Sequence, residues 1–228
     1  GSRGKVIRAP RNAGEPLTTA DVCFEVVKPA TAARKCSFAE LDAAPGESGP
    51  ATAFVSHAWL YPFEWLVSAL EAANLPADTL FWVDIAVVNQ HVNADRGFDW
   101  WSSTFRQAVK TIGRTLLVLA PWRAPVPLTR AWCIWEIFCT VDTDTELRVL
   151  LPAAERDAFA TALVDDFDSI VQVVCAVDVE KAEAHSASDR DNIFAAVRET
   201  CGFHKLNVAA AGGLRGALAL AGSSMRRS

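Results

Sequence analysis

Glu136 is the side chain that most needs a chemical explanation. It lies in Thr115 to Thr140, TLLVLAPWRAPVPLTRAWCIWEIFCT, where an apolar run passes through a proline-rich loop into an apolar segment. The segment from Arg130 to Thr140 reads as a helix, with Thr129 as its N-cap. Being apolar nearly all round, that helix should be buried. Its two ionisable residues, Arg130 and Glu136, fall on different faces, so the arginine does not neutralise the acid from within the helix. Glu136 shares its face with Thr129, Trp132, Cys133 and Thr140. Burying an unpaired carboxylate costs several kcal/mol, so Glu136 must find a partner or give up its charge, which makes it the first candidate for a working group. The other candidates are Ser56, His57 and Trp59 after one apolar run, and Asp84, Asn89 and Gln90 in and after another. His57 has the chemistry of a general acid or a ligand contact. Asn89, Gln90 and His91 can hydrogen-bond a nucleotide, and Trp132 can stack on a ring. Each also has a structural reading: a hydrogen-bonded loop histidine, an aspartate tying down a neighbouring loop, a capped turn, a salt bridge from Glu136 to another segment. His57, Asp84, His91 and Asp95 match no metal-ligand spacing.

These side chains need a frame, and the hydrophobic pattern supplies one. Strands are predicted near 53–56, 80–87, 115–119, 147–151 and 169–177, with helices between them. The helices are expected over Pro62 to Ala73, Trp101 to Ile112 (ended by Gly113), Arg130 to Thr140, Pro152 to Asp166, and from Asp189 or Asp191 to Thr200. This alternation implies a doubly wound α/β domain with right-handed crossovers. Ligands in such domains sit beyond the carboxyl ends of the strands, where the strand order reverses. Ser56 to Trp59, Asn89 to Asp95 and the loop into Trp132 and Glu136 all fall there. The domain is placed at 51–205. Before it comes an extension, 1–50, with a basic arm, a short helix over Ala20 to Val27 stopped by Pro29, and a linker at Ala43 to Pro50. After it comes an Ala/Gly-rich segment, 206–228, with one more helix expected near Leu214 to Ala221.

Composition narrows the classes. A net charge of −5 argues against nucleic acid as the main partner. No apolar run approaches the roughly 20 residues of a membrane span, and the start does not read as a signal peptide. The six cysteines form no C-x-x-C pair, which fits reduced thiols in a cytoplasmic or nuclear setting. There is no G-x-G-x-x-G, no G-x-x-x-x-G-K-[ST] and no G-x-S-x-G, which disfavours dinucleotide-binding dehydrogenases, P-loop enzymes and nucleophile-elbow hydrolases.

The same residues carry a family resemblance. Phe54-Val55-Ser56-His57 is similar to the first box of TIR domains. Trp132-Cys133-Ile134-Trp135-Glu136-Ile137 resembles the Trp-Cys-x-x-Glu-Leu box of plant TIR domains, and the Trp132-to-Glu136 spacing matches that of an animal TIR NADase. Phe81-Trp82-Val83-Asp84 through Asn89-Gln90, with Arg130-Ala131-Trp132 and Glu136, resembles boxes of the fungal heterokaryon-incompatibility (HET) domain, itself TIR-like. His57, and the lack of an Arg-Gly in the segment directly after Asp84, depart from the TIR pattern. The resemblance implies a flavodoxin-like, five-stranded parallel sheet and an NAD+ glycohydrolase acting through Glu136. It further implies Ser56, His57, Trp59, Asp84, Asn89, Gln90 and Trp132 around the substrate. NAD+ would be the substrate, with no separate cofactor, and the domain would self-assemble. A silent TIR-like assembly module is the rival reading. The chemistry fits the acid's isolation, because the cationic nicotinamide brings the charge that the helix lacks.

Overall fold

Four strands form one all-parallel sheet in the order β2-β1-β3-β4: β1 Ala53–Ser56, β2 Phe81–Trp82, β3 Arg114–Val118 and β4 Glu146–Leu150. The computed structural model describes residues 14–41, 48–92, 97–184 and 187–225. The basic arm and most of the linker lie outside the described residues. Around the sheet run the helical segments α1 Thr19–Val22, α2 Lys28–Thr31, α3 Phe63–Glu71, α4 Asp84–Val87, α5 Phe98–Ile112 and α6 Ala131–Asp142. They are followed by α7 Ala153–Asp165, α8 Phe167–Cys175, α9 Ala187–Glu199 and α10 Gly202–Met225.

Alternation along the strands sends side chains to both faces. Phe54, Leu117 and Val149 join the cluster built with Phe105 and Val109 of α5, Ile134 and Phe138 of α6, Ile193 of α9 and Leu206 of α10. Val55, Leu116, Val118 and Leu150 face the other way, onto Leu66 and Ala69 of α3 and onto Tyr61. Gly113 closes α5 in the left-handed conformation, φ 76°, as its position after the periodic run predicts.

The sheet has four strands rather than the predicted five. Residues 169–177 lie mostly in α8, because Ile170, Val173 and Val177 recur at helical spacing and pack on the core while Val171 stays exposed. The β-branched run mimics a buried strand in sequence, but its apolar period is helical. The long strand expected at 80–87 also shrinks, to Phe81–Trp82. There the Asp84 side chain accepts from the Ile85 N–H (2.8 Å), and Val87 N and Val88 N reach back to the carbonyls of Val83 and Asp84, making one helical turn. The aspartate is a turn-starter inside an apolar run.

Three local expectations change as well. Thr129 does not cap α6. Its hydroxyl turns back to the Val126 carbonyl, and the Ala131 N–H donates to the Glu183 carbonyl instead, a cap supplied from far along the chain. Pro29 does not stop the first helix. A π turn, Cys23–Val27, joins α1 to α2, and the Lys28 N–H reaches Cys23. The widened turn relieves the clash that the proline ring would make with the carbonyl four residues back. Asp189 and Asp191 lie inside α9 rather than at its cap. The helix expected near Leu214 to Ala221 is present but longer: α10 starts at Gly202 and packs on β4.

Candidate functional site

Ser56 is the last residue of β1 and is fully buried. Its hydroxyl donates to Oε2 of Glu136. The strand order places this contact at the switch point. The chain leaves β1 for β2 on one side, whereas β3, which leads into α6, pairs on the other side of β1. The crevice beyond the carboxyl ends of β1 and β3 is where a doubly wound sheet holds ligands. Glu136 is anchored there from below: Thr140 Oγ1 donates to the Glu136 carbonyl (2.7 Å) and accepts from the hydroxyl of Thr115 on β3 (2.8 Å).

Glu136 is 8% exposed, and burial pushes its carboxyl up to about 8. The Ser56 hydroxyl opposes that rise and the charge of Asp84 adds to it. The resting group is therefore mostly neutral near pH 7, an acid waiting for a charge of the opposite sign. The neighbouring groups are restrained in the same way. His57 is buried, its Nε2 has no hydrogen-bond partner among the described residues, and burial lowers its pKa against the pull of Asp84. It is a neutral imidazole rather than a general acid. The Cys133 thiol donates to the His57 carbonyl (3.6 Å), and burial and Glu136 hold its pKa well above the ordinary value. A thiol kept protonated in this way is not a nucleophile.

Trp59 and Asp84 form the rim. The indole N–H donates to Asp84 Oδ2 at 2.7 Å, joining the exits of β1 and β2. Both side chains are half-buried, as is Arg130, whose charge is felt at Cys133. Trp132, also half-buried, is packed into an aromatic cluster, with ring centroids 5.7 Å from Phe98 and 5.8 Å from Phe105. Gln90 Nε2 donates to the Asp84 carbonyl (3.0 Å), bracing the rim from behind. Asn89 turns away, with its amide donating to the Lys35 carbonyl (2.6 Å) and its Oδ1 accepting from the His91 N–H. The fold thus gathers Ser56, His57, Glu136, Asp84 and Trp59, and leaves Asn89, Gln90 and Trp132 in supporting positions. Sequence reasoning placed Cys133 on the right face but did not select it. It gave no role to Lys28, Thr31 and Lys35, whose only local signal is the helix start at Thr18 and Asp21.

No group of three His, Cys, Asp or Glu side chains among the described residues is arranged to hold a metal ion. Asp95 lies outside them. Hollows of about 480 Å³ between β4 and α10, and of about 670 Å³ beside α5 and Trp82, do not include Ser56 or Glu136 in their walls. Ser56 and Glu136 are buried away from these hollows. No helix among the described residues is long and apolar enough to cross a membrane. No protein-family model, curated protein or solved structure matches the chain.

Proposed function

We propose that this domain is a TIR-like NAD+ glycohydrolase in which Glu136 stabilises the cationic ribose as nicotinamide leaves. The observation that carries the reading is the Ser56–Glu136 hydrogen bond at the switch point, with the acid buried and held neutral at rest. In NAD+ the scissile bond joins ribose to a pyridinium. Its electron pair leaves with nicotinamide, which becomes neutral without being protonated. The positive charge passes to the ribose C1′ and ring oxygen, where a carboxylate within a low-dielectric pocket stabilises it. Water then adds at C1′ and loses a proton, giving ADP-ribose. Attack by a nucleophile already on the nucleotide would give a cyclic product. Glu136 reaches its charged form when the cation arrives, because a nearby positive charge lowers a carboxyl pKa. Ser56 orients one carboxylate oxygen and leaves the other for the ligand.

Incubation with NAD+ and assay of free nicotinamide tests the reading, on the isolated chain and on a form fused to an oligomeriser. Release by the wild type with a 10²–10³-fold loss in Glu136→Gln is the expected result, the size of one electrostatic contribution of roughly 3–4 kcal/mol. Wild-type rates in the variant would overturn it. The burial of Glu136, 8% exposed, favours a second reading, a silent TIR-like module that assembles with copies of itself. Absence of nicotinamide release in every assembled form would select that reading.

A further inference from the structure

The rim over Glu136 is held by the chain's own N-terminal segment, and we infer that residues 17–35 are a latch that keeps the site closed. The segment is tied to both sides of the rim. Near the exit of β1, Ala20 N donates to the Trp59 carbonyl (3.0 Å), Thr19 N to the Tyr61 carbonyl (2.9 Å) and Phe63 N to the Leu17 carbonyl (2.7 Å). At the exit of β2, Lys28 Nζ donates to the Gln90 carbonyl (2.8 Å) and the Lys35 carbonyl accepts from Asn89 (2.6 Å). Thr31 Oγ1 lies 2.8 Å from His91 Nε2. The Thr31 hydroxyl already donates to the Val27 carbonyl (2.8 Å), so the histidine supplies the hydrogen and carries it on Nε2.

The sheet alone holds this side of the rim weakly. Strand β2 is the outermost on its side and pairs with β1 through only two residues, and the turn that follows it is a single four-residue helix. What the ladder does not supply, the latch does. Its buried stripe of Ala20, Cys23, Val27 and Thr31 is packed in, and the following turn, Phe38–Glu40, lies against α4. The two sides of the rim meet in the Trp59–Asp84 bond, close enough that the charge of Asp84 is felt at Glu136 and Cys133, which are 8% and 6% exposed. A dinucleotide does not reach a carboxylate so covered unless the rim parts. Ala20, Cys23 and Val27 belong to neither of the two core clusters, so this segment can part without opening the core packed on the sheet. Release of the latch therefore regulates access to the proposed site.

Three buried cysteines among the described residues report on this without any assumption about activity. Cys23 lies in the latch, Cys133 under the rim and Cys139 two turns further along α6, where it is fully buried. In the full chain, Lys28→Met with Thr31→Val removes the side-chain ties to residues 90 and 91. Labelling by N-ethylmaleimide, followed site by site by mass spectrometry, should then speed up about tenfold or more at Cys23 and Cys133, with Cys139 unchanged. Thr31→Ser, which keeps the hydroxyl, should label like the wild type. Unchanged labelling at Cys133 overturns the latch. So does a parallel rise at Cys139, which would make the segment ordinary core. The inference rests on the NAD+ reading only for its consequence, a faster nicotinamide release in the double variant. Opening at Cys133 without release would leave the latch standing and remove the proposed activity.

Discussion

At the scale of single residues, the fate of Glu136 is set by solvent. Its carboxyl rises from the ordinary 4.5 to about 8 because burial penalises the charged form, and the hydroxyl of Ser56 recovers only part of that cost. The sign for stability follows from linkage. Between these two pKa values the folded state holds a proton that the unfolded state has lost, so stability declines as pH rises from about 4.5 to about 8 and levels off above. Glu136→Gln removes that decline. Thermal melts across this range should show the variant matching the wild type at the acid end and exceeding it by a few kcal/mol at the alkaline end. Equal slopes would mean that Glu136 is ionised at rest. Ser56→Ala removes a bond to the charged form, so the carboxyl should titrate higher still. In the ligand-free protein, infrared bands of the protonated acid should then persist to higher pH than in the wild type.

At the scale of elements, close approaches decide which substitutions are tolerated. A Cβ built on Gly213 meets Val149 Cγ2 at 2.5 Å, where α10 lies against β4. Val149 is branched, held on a strand and 3% exposed, so it has little room to turn. Gly213→Ala should cost roughly 1–3 kcal/mol despite its better helix propensity. Gly212 and Gly216 have nothing within 4 Å of the same position, so alanine at either should stabilise by about 0.5–1 kcal/mol. Chemical denaturation of the three variants separates the cases, and a stabilised Gly213→Ala would show that α10 stands off the sheet. Helix α8 makes a second test. Val171→Glu, at a 43% exposed position, should leave stability within about half a kcal/mol, whereas Ile170→Glu places a charge at a 1% exposed position and should cost several kcal/mol. A cost of several kcal/mol at both positions would restore the buried strand.

For the whole molecule, the sequence determined what local chemistry determines. The strands expected at 53–56 and 115–119, observed at Ala53–Ser56 and Arg114–Val118, the left-handed Gly113 and the largely apolar α6 were legible because period, turn chemistry and burial agree there. Glu136 stood out for the same reason, since a lone acid on an apolar helix has no local explanation. The five cysteines whose side chains are described form no disulfide. Denatured without reductant, the chain should titrate all six thiols, and a smaller number would contradict the reduced setting expected from their spacing. What the sequence left open depends on distant partners. The Ser56 contact spans 80 positions and the Lys28 contact 62. A hydroxyl, an amine and a carboxylate carry no local signal of which group they will meet. The run at 80–87 gave a strand by composition and became two strand residues and a turn, because the fold could satisfy Asp84 with Trp59 and the Ile85 N–H. The run at 169–177 looked like a strand until the core had to be filled from a helix on one face. Composition and period decided which residues are buried. Only the tertiary structure decided which polar groups are buried together, because a desolvated group is stabilised by whatever partner the fold brings to it, however far along the chain.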